Sequence, residues 1–169
     1  GPGFLNFTLA QESQGAVLEE IFARAGSYGH GDSLHGISIN LEFVSANPTG
    51  PLHLGHTRWA AVGDSLGRVL SAAGARVTRE FYVNDRGVQM DLFGESIRNS
   101  ALGLAVPEHG YHGDYVHDLA RQIVAENPSF TSLDAEAGIP AFRDAGYAIQ
   151  LKQQQDVLDA MRTHFDVWF

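Results

Sequence analysis

The sequence predicts an α/β fold built on parallel strands, and three observations carry that reading. Residues 37–44 hold Ile37, Ile39, Leu41, Phe43 and Val44, apolar on both faces toward the end, as in a strand of a parallel sheet. A helical run follows to about residue 73, with Val62, Leu66, Val69, Leu70 and Ala73 as its expected inner stripe. A second strand-like run (77–83) and a second helical run (88–104) come next after short links. Strand, helix, strand, helix in that order is a βαβ unit with parallel strands and a right-handed crossover.

Taken in order, residues 3–9 alternate loosely and read as a short strand. Residues 11–25 read as a helix whose apolar face is Val17, Leu18, Ile21 and Phe22, and the glycine-rich stretch 26–36 reads as a loop. The first convincing strand then breaks at Asn47-Pro48-Thr49-Gly50-Pro51, where two prolines and a glycine make a turn of fixed shape. The helix after it begins at residue 52 or 53, with Gly74 as its C′ residue. Asn84-Asp85-Arg86-Gly87 turns the chain into the next helix. Beyond Pro107 the texture changes: a turn-rich stretch (108–113), a short helix (114–125), a break at Asn127-Pro128-Ser129, and a longer glutamine-rich helix from Pro140 to about His164. Phe165-Asp166-Val167-Trp168-Phe169 reads as a strand.

The chain has 169 residues, no cysteine and a net charge of −9. That length buries a real core without disulfides. The missing cysteines exclude a disulfide scaffold, a thiolate zinc site and a cysteine nucleophile. The acidic balance argues against a surface coated for nucleic acid, although one basic groove would be compatible with it. No run of about 18 apolar residues exists, so no membrane span is expected. The first residues lack the basic and apolar regions of a secretory signal. The chain opens without methionine and stops on an apolar strand, so it is expected to be a piece of something longer.

The chemistry concentrates in residues 42–56, EFVSANPTGPLHLGH. A buried strand, a rigid turn and a helix start lie in sequence there. The N–H groups and positive partial charge of a helix N-terminus suit a phosphate. His53 and His56 are three apart, so they share a face and can donate to one anion. Gly55 between them removes a Cβ and permits close approach of a flat ring or backbone. The carboxyl end of a first parallel strand is also where open α/β sheets place ligands. The combination reads as a nucleotide triphosphate site in which histidines stabilise charge developing on phosphate. A metal centre is the alternative for His53/His56 and for His109/His112 with Asp114 and His117, but no HExxH pattern is present and no metal ligand is assigned.

The stretch SANPTGPLHLGH followed by RWAAVGDSLGRVL resembles the HIGH-motif region of arginyl-tRNA synthetases, class I aminoacyl-tRNA synthetases. The resemblance extends, in order, to Gly1-Pro2-Gly3-Phe4-Leu5-Asn6-Phe7, to Phe81-Tyr82-Val83-Asn84-Asp85-Arg86-Gly87, to Tyr111-His112-Gly113-Asp114-Tyr115 and to the final FDVWF. It implies the first half of a Rossmann-like, HUP-type nucleotide-binding domain with a mainly helical insertion. Residues 1–35 would be the end of an N-terminal tRNA-contacting domain plus a linker helix, 36–104 the βαβ half with the HIGH motif, and 105–169 the insertion leading into a strand.

The implied function is arginine–tRNA ligase, a cytoplasmic enzyme of protein biosynthesis. It activates arginine with ATP and Mg2+ to arginyl-adenylate and transfers the arginyl group to tRNA. The resemblance makes His53 and His56 the catalytic HIGH histidines on ATP phosphates, with Pro51, Leu54 and Gly55 also at ATP and Gly55 under the adenine. Glu42, Ser45 and Asn47 would hold the amino and carboxylate ends of arginine. Ala46, Asn47, Pro48, Thr49, Gly50, Pro51 and Leu52 complete the motif region. Asp64, Asn84 and Asp85 match family positions but read as capping and packing residues, and Trp59, where many members have glycine, reads as packing. Gly50 stands where some members carry a lysine. The KMSK-type loop, the guanidinium pocket and the anticodon-binding domain are expected outside these 169 residues, so the chain alone would turn over poorly. Two other readings stay open: an HxGH nucleotidylyltransferase, and a non-catalytic fragment that binds RNA or protein.

Overall fold

The computed structural model describes residues 3–169, and the side chains of all of these except 11–14. Gly1 and Pro2, part of the first resembling segment, lie outside the described residues. Three parallel strands form one sheet in the order β1 (Ser38–Glu42), β2 (Arg76–Phe81), β3 (Val167–Trp168). Ser38 pairs with Arg76 through to Glu42 with Glu80, and Phe81 pairs with Trp168. The helices are α1 (Gln11–Arg24), α2 (Leu54–Ala72), α3 (Val88–Ala101), α4 (Asp114–Glu126) and α5 (Ala135–Ala160). The expected α/β class, the parallel βαβ unit, the helical layer after residue 105 and the closing strand are all present.

Three expectations are corrected. Residues 3–9 form no strand: they run extended, with Phe4, Leu5, Phe7 and Leu9 exposed and no partner strand beside them among the described residues. The helix expected at 11–25 is present as α1, with Val17, Leu18 and Phe22 of its apolar face exposed, Phe22 at 82%. The stripe expected to face inward on α2 faces outward: Val62, Leu66 and Val69 are exposed, as is Trp59. The helix instead lies on the sheet through Ala60, Gly63 and Gly67, small residues that let its backbone come close. A Cβ at Gly63 would stand 2.2 Å from Cδ2 of Phe43, and one at Gly67 would stand 3.0 Å from the Arg79 guanidinium. Finally, the last helix starts at Ala135 rather than at Pro140, because Asp134 caps it by accepting from Ala137 N at 2.9 Å, and it ends at Ala160 rather than near residue 164. Pro140 is carried inside the helix.

Two apolar clusters organise the interior. Under the sheet, Ala46, Ala60, Phe81 and Leu158 meet Phe165 and Trp168, with the Phe81 and Trp168 rings stacked at 4.4 Å. In the helical layer, Met90, Phe93 and Ile97 of α3 meet Val116, Leu119 and Ile123 of α4 and Phe142 of α5. The 26 residues of α5 reach both clusters, a span of roughly 39 Å at 1.5 Å per residue. Its buried positions are Gly138, Phe142, Gly146, Gln150, Gln154 and Leu158, one in every four. A spacing of four exceeds the helical 3.6, so this stripe winds by roughly 200° along the helix. Phe142 therefore faces the helical layer while Gln154 and Leu158 face the sheet and the turn after β1. Among the described residues no helix is long and apolar enough to cross a membrane.

The seat of α2 on Phe43 can be tested directly. Gly63→Ala is expected to lose about 1–3 kcal/mol in urea unfolding, as overpacking does. A variant as stable as its parent would show that α2 is not seated there.

Candidate functional site

The site begins where β1 ends. Val44 and Ser45 have φ of 65° and 42°, in the left-handed region that β-branched residues rarely enter. Such conformations cost of the order of 1–3 kcal/mol each and persist where the surroundings over-determine them. Here Phe43 is buried under α2, and Ser45 Oγ donates to Glu42 Oε1 at 2.8 Å while accepting from Tyr82 N at 3.1 Å. The chain is thus swung so that Ala46, Pro48 and Thr49 enter the interior while Asn47 and Gly50 reach a cleft.

The cleft has a volume of about 370 Å3 and is lined by Asn47, Thr49, Gly50, Pro51, His53 and His56, with Tyr111 and Tyr115 on the other wall. Of the remaining residues singled out from sequence, Glu42 and Ser45 lie at the strand end, off this wall. Leu52 packs against the sheet cluster, and Leu54 projects outward, 84% exposed. Asn47 is engaged: its Nδ2 donates to Gln89 Oε1 at 2.7 Å.

The two histidines are built into the start of α2. His53 is the N-cap, with extended backbone, and its Nδ1 accepts from Gly55 N at 3.1 Å. In return His53 N donates to His56 Nδ1 at 3.2 Å, so each ring satisfies an N–H that a helix start leaves free. The rings stack at 3.8 Å with 26° between planes. Since both Nδ1 atoms accept, each neutral ring carries its proton on Nε2. Gly55 is needed for this arrangement, because a Cβ there would lie 2.9 Å from Cε1 of His53. Burial, and then the neighbouring His53, hold the His56 pKa below 6.5. The pair therefore offers two outward Nε2–H donors at the positive end of a 19-residue helix, an arrangement that suits a phosphate group.

Side chains from the helical layer complete the surroundings. Tyr115 Oη donates to Thr49 O at 2.9 Å, and burial, with a smaller push from Tyr111, raises its pKa to about 12. Gln154 Nε2 donates to both Asn47 O at 3.1 Å and Gly50 O at 3.0 Å. Sequence reading attached no site role to Gln89, Tyr115 or Gln154. The one-in-four spacing of Gly138, Gly146, Gln150 and Gln154 was the available signal for the last of these. Asp64 pairs with Arg68 at 2.6 Å and lies 3.9 Å from Arg79, tying α2 to β2. His117 is held by Ser100 and His112 by the Glu108 carbonyl, and among the described residues no three histidine, aspartate or glutamate side chains converge as metal ligands would.

Comparison with known proteins gives a consistent picture. The family model for class I (R) tRNA synthetase catalytic domains matches residues 18–111. The arginine–tRNA ligase of Renibacterium salmoninarum is 50% identical over 169 residues, all of this chain and 31% of its own length. That of Micrococcus luteus is 50% identical over 168 residues, covering 99% of this chain and 30% of its own. A crystal structure from Campylobacter jejuni assigned as an arginyl-tRNA synthetase superposes with a TM-score of 0.84 at 31% identity, over 95% of this chain and 36% of that one. The Thermus thermophilus arginyl-tRNA synthetase gives 0.58 at 24% identity, over 98% of this chain and 28% of that one, a likeness of fold. The chain thus spans about a third of the length of the curated relatives it matches.

The titration of His56 checks the cap. Protonation would place a hydrogen on Nδ1, facing the His53 N–H, so the fold favours the neutral ring. With the folded pKa depressed, this contribution is fully present above 6.5 and is lost as the pH falls through the lower folded value. Ring resonances followed by NMR should place the His56 midpoint below 6.5, and His53→Ala should raise it only part of the way, because burial is the larger cause. A midpoint at or above 6.5 in the parent chain would contradict the described geometry.

Proposed function

The chain belongs to the class I (R) tRNA synthetase catalytic-domain family, and on that premise we propose that it carries the nucleotide-binding part of an arginine–tRNA ligase site. The observation that carries the reading is the stacked, reciprocally capped His53/His56 pair with its free Nε2–H donors at the head of α2.

The reaction needs little from the protein beyond binding and charge stabilisation. One oxygen of the arginine carboxylate forms a bond to the α-phosphorus of ATP while the bond to the pyrophosphate oxygen breaks. The nucleophile is already an anion, so no general base is required. His53 and His56 donate to phosphate oxygens as charge builds on them, and loss of one such donor costs about 10²–10³ in rate in comparable sites. The adenine falls to the helix start, with Pro51, Leu54 and Gly55 beside it. Glu42 accepts from the arginine α-ammonium, with Ser45 orienting its carboxylate. Asn47 donates to the arginine carboxylate once it releases Gln89. Magnesium, carried in on the nucleotide, would neutralise phosphate charge. The arginyl group then passes to the terminal ribose of tRNA. The guanidinium contacts and most tRNA contacts fall to parts of the longer relatives that this chain does not span. Activity by the 169 residues alone is accordingly expected to be poor. The setting is cytoplasmic protein biosynthesis.

Calorimetry with non-hydrolysable aminoacyl-adenylate analogues tests the reading. Arginyl and leucyl analogues should bind with similar affinity, because the ammonium, the acyl carbonyl and the nucleotide are common to both. Replacing His53 and His56 together with alanine should weaken both by at least about a hundredfold, as expected for loss of two charge-assisted hydrogen bonds. A folded chain that binds neither analogue would refute the nucleotide site.

A further inference from the structure

The turn that carries the site has a peculiarity of its own. Pro48 and Pro51 have no N–H to give, and among the described residues no backbone–backbone hydrogen bond of good geometry involves Asn47, Thr49 or Gly50. Their three carbonyl oxygens are nevertheless all partnered, each by a side chain from the helical layer: Gln154 on α5 supplies Asn47 and Gly50, and Tyr115 on α4 supplies Thr49. These donors lie 66 to 107 positions further along the chain. Gln154 is 2% exposed, and its Oε1 is buried without a partner. The amide is therefore held there for its two donors, since turning it over would set an oxygen against two carbonyl oxygens. The raised pKa of Tyr115 keeps its hydroxyl a donor well beyond neutral pH.

We propose that Gln154, assisted by Tyr115, is a positioning residue: by fixing the shape of the 47–50 turn from the helical layer, it sets where His53 and His56 stand. Neither residue needs to touch the nucleotide. The helical layer is then the template for the histidine pair, rather than a separate body beside it. The ring geometry stands on the hydrogen bonds alone, whereas its consequence for ATP affinity rests on the nucleotide-site reading above.

Gln150 provides a matched control. It is 1% exposed, one turn earlier on the same helix, with an equally unpartnered Oε1, but its amide donates only to Gln153 within α5. Gln154→Met and Gln150→Met remove the same chemistry at the same depth. In the 169-residue chain, Gln154→Met is expected to shift the His53 and His56 ring resonances and to move the His56 titration midpoint toward 6.5. ATP binding by calorimetry should weaken about tenfold, as loss of positioning hydrogen bonds does. Gln150→Met should lower the melting temperature comparably and leave the rings and the ATP affinity alone. Tyr115→Phe, which keeps the ring and removes one donor, should shift the same resonances less, and it carries the test should Gln154→Met not fold.

Equal effects of the two glutamine variants on the rings, or unchanged rings in Gln154→Met, would overturn the proposal, as would unchanged rings in Tyr115→Phe if that variant alone folds. Parent chain that fails to bind ATP would count against the nucleotide site, while the ring resonances would still decide the positioning role.

Discussion

A carbonyl oxygen that cannot find an N–H in its own segment must find one elsewhere or be left unsatisfied. The turn after β1 contains two prolines among five residues, and it meets this constraint through side chains that arrive from α4 and α5. Much else in the fold follows from that dependence. α5 has to be long enough to reach from the helical core to the turn. Its buried stripe has to wind around the helix to face both. Gln154 has to sit at a depth where apolar side chains are usual. The sheet and the helical layer are therefore joined by specific polar contacts as well as by the apolar contact at Leu158.

Strain sits on the other side of the same segment. Val44 and Ser45 hold left-handed backbone at the point where β1 stops, and the close seat of α2 on Phe43 leaves the strand end little room to relax. The chain is pinned before the turn by Phe43 and the Ser45 hydroxyl, within it by Gln154 and Tyr115, and after it by the His53 cap. A short loop held at three places can present side chains with little freedom, which lowers the ordering cost of a ligand that meets them.

The order of strands and helices was legible in the sequence because hydrophobic period and turn chemistry are local. Gly74 and the Asn47–Pro51 turn marked the ends of elements well. The inner face of α2 was not legible, because hydrophobic periodicity singles out the largest apolar side chains, whereas the sheet accepted the smallest. Val62, Leu66 and Val69 are better stripe formers than Ala60, Gly63 and Gly67, but only the latter allow contact with Phe43 and Arg79. Pro140 misled for a related reason: a proline is a common helix start, but the cap at Asp134 lay one turn and a half earlier. At the site, His53, Gly55 and His56 stood out through a short spacing. Gln154 and Tyr115 act across more than sixty positions and leave no mark in the residues around the turn.

The histidine cap itself shows why the local rules are broken there. Serine, threonine, aspartate or asparagine would cap α2 more conventionally. An imidazole caps with one nitrogen and keeps a second, on the far side of a rigid ring, as an outward donor. Stacking the rings and burying His56 keeps that ring neutral. On the nucleotide-site reading each ring presents its Nε2–H to a phosphate oxygen, and that hydrogen bond strengthens as charge accumulates there. Only interactions that strengthen toward the transition state accelerate the chemical step. A capping box made of two histidines thus joins the stability of the helix to a pair of outward donors, and Gly55 is the residue whose missing side chain leaves room for the His53 ring that does both.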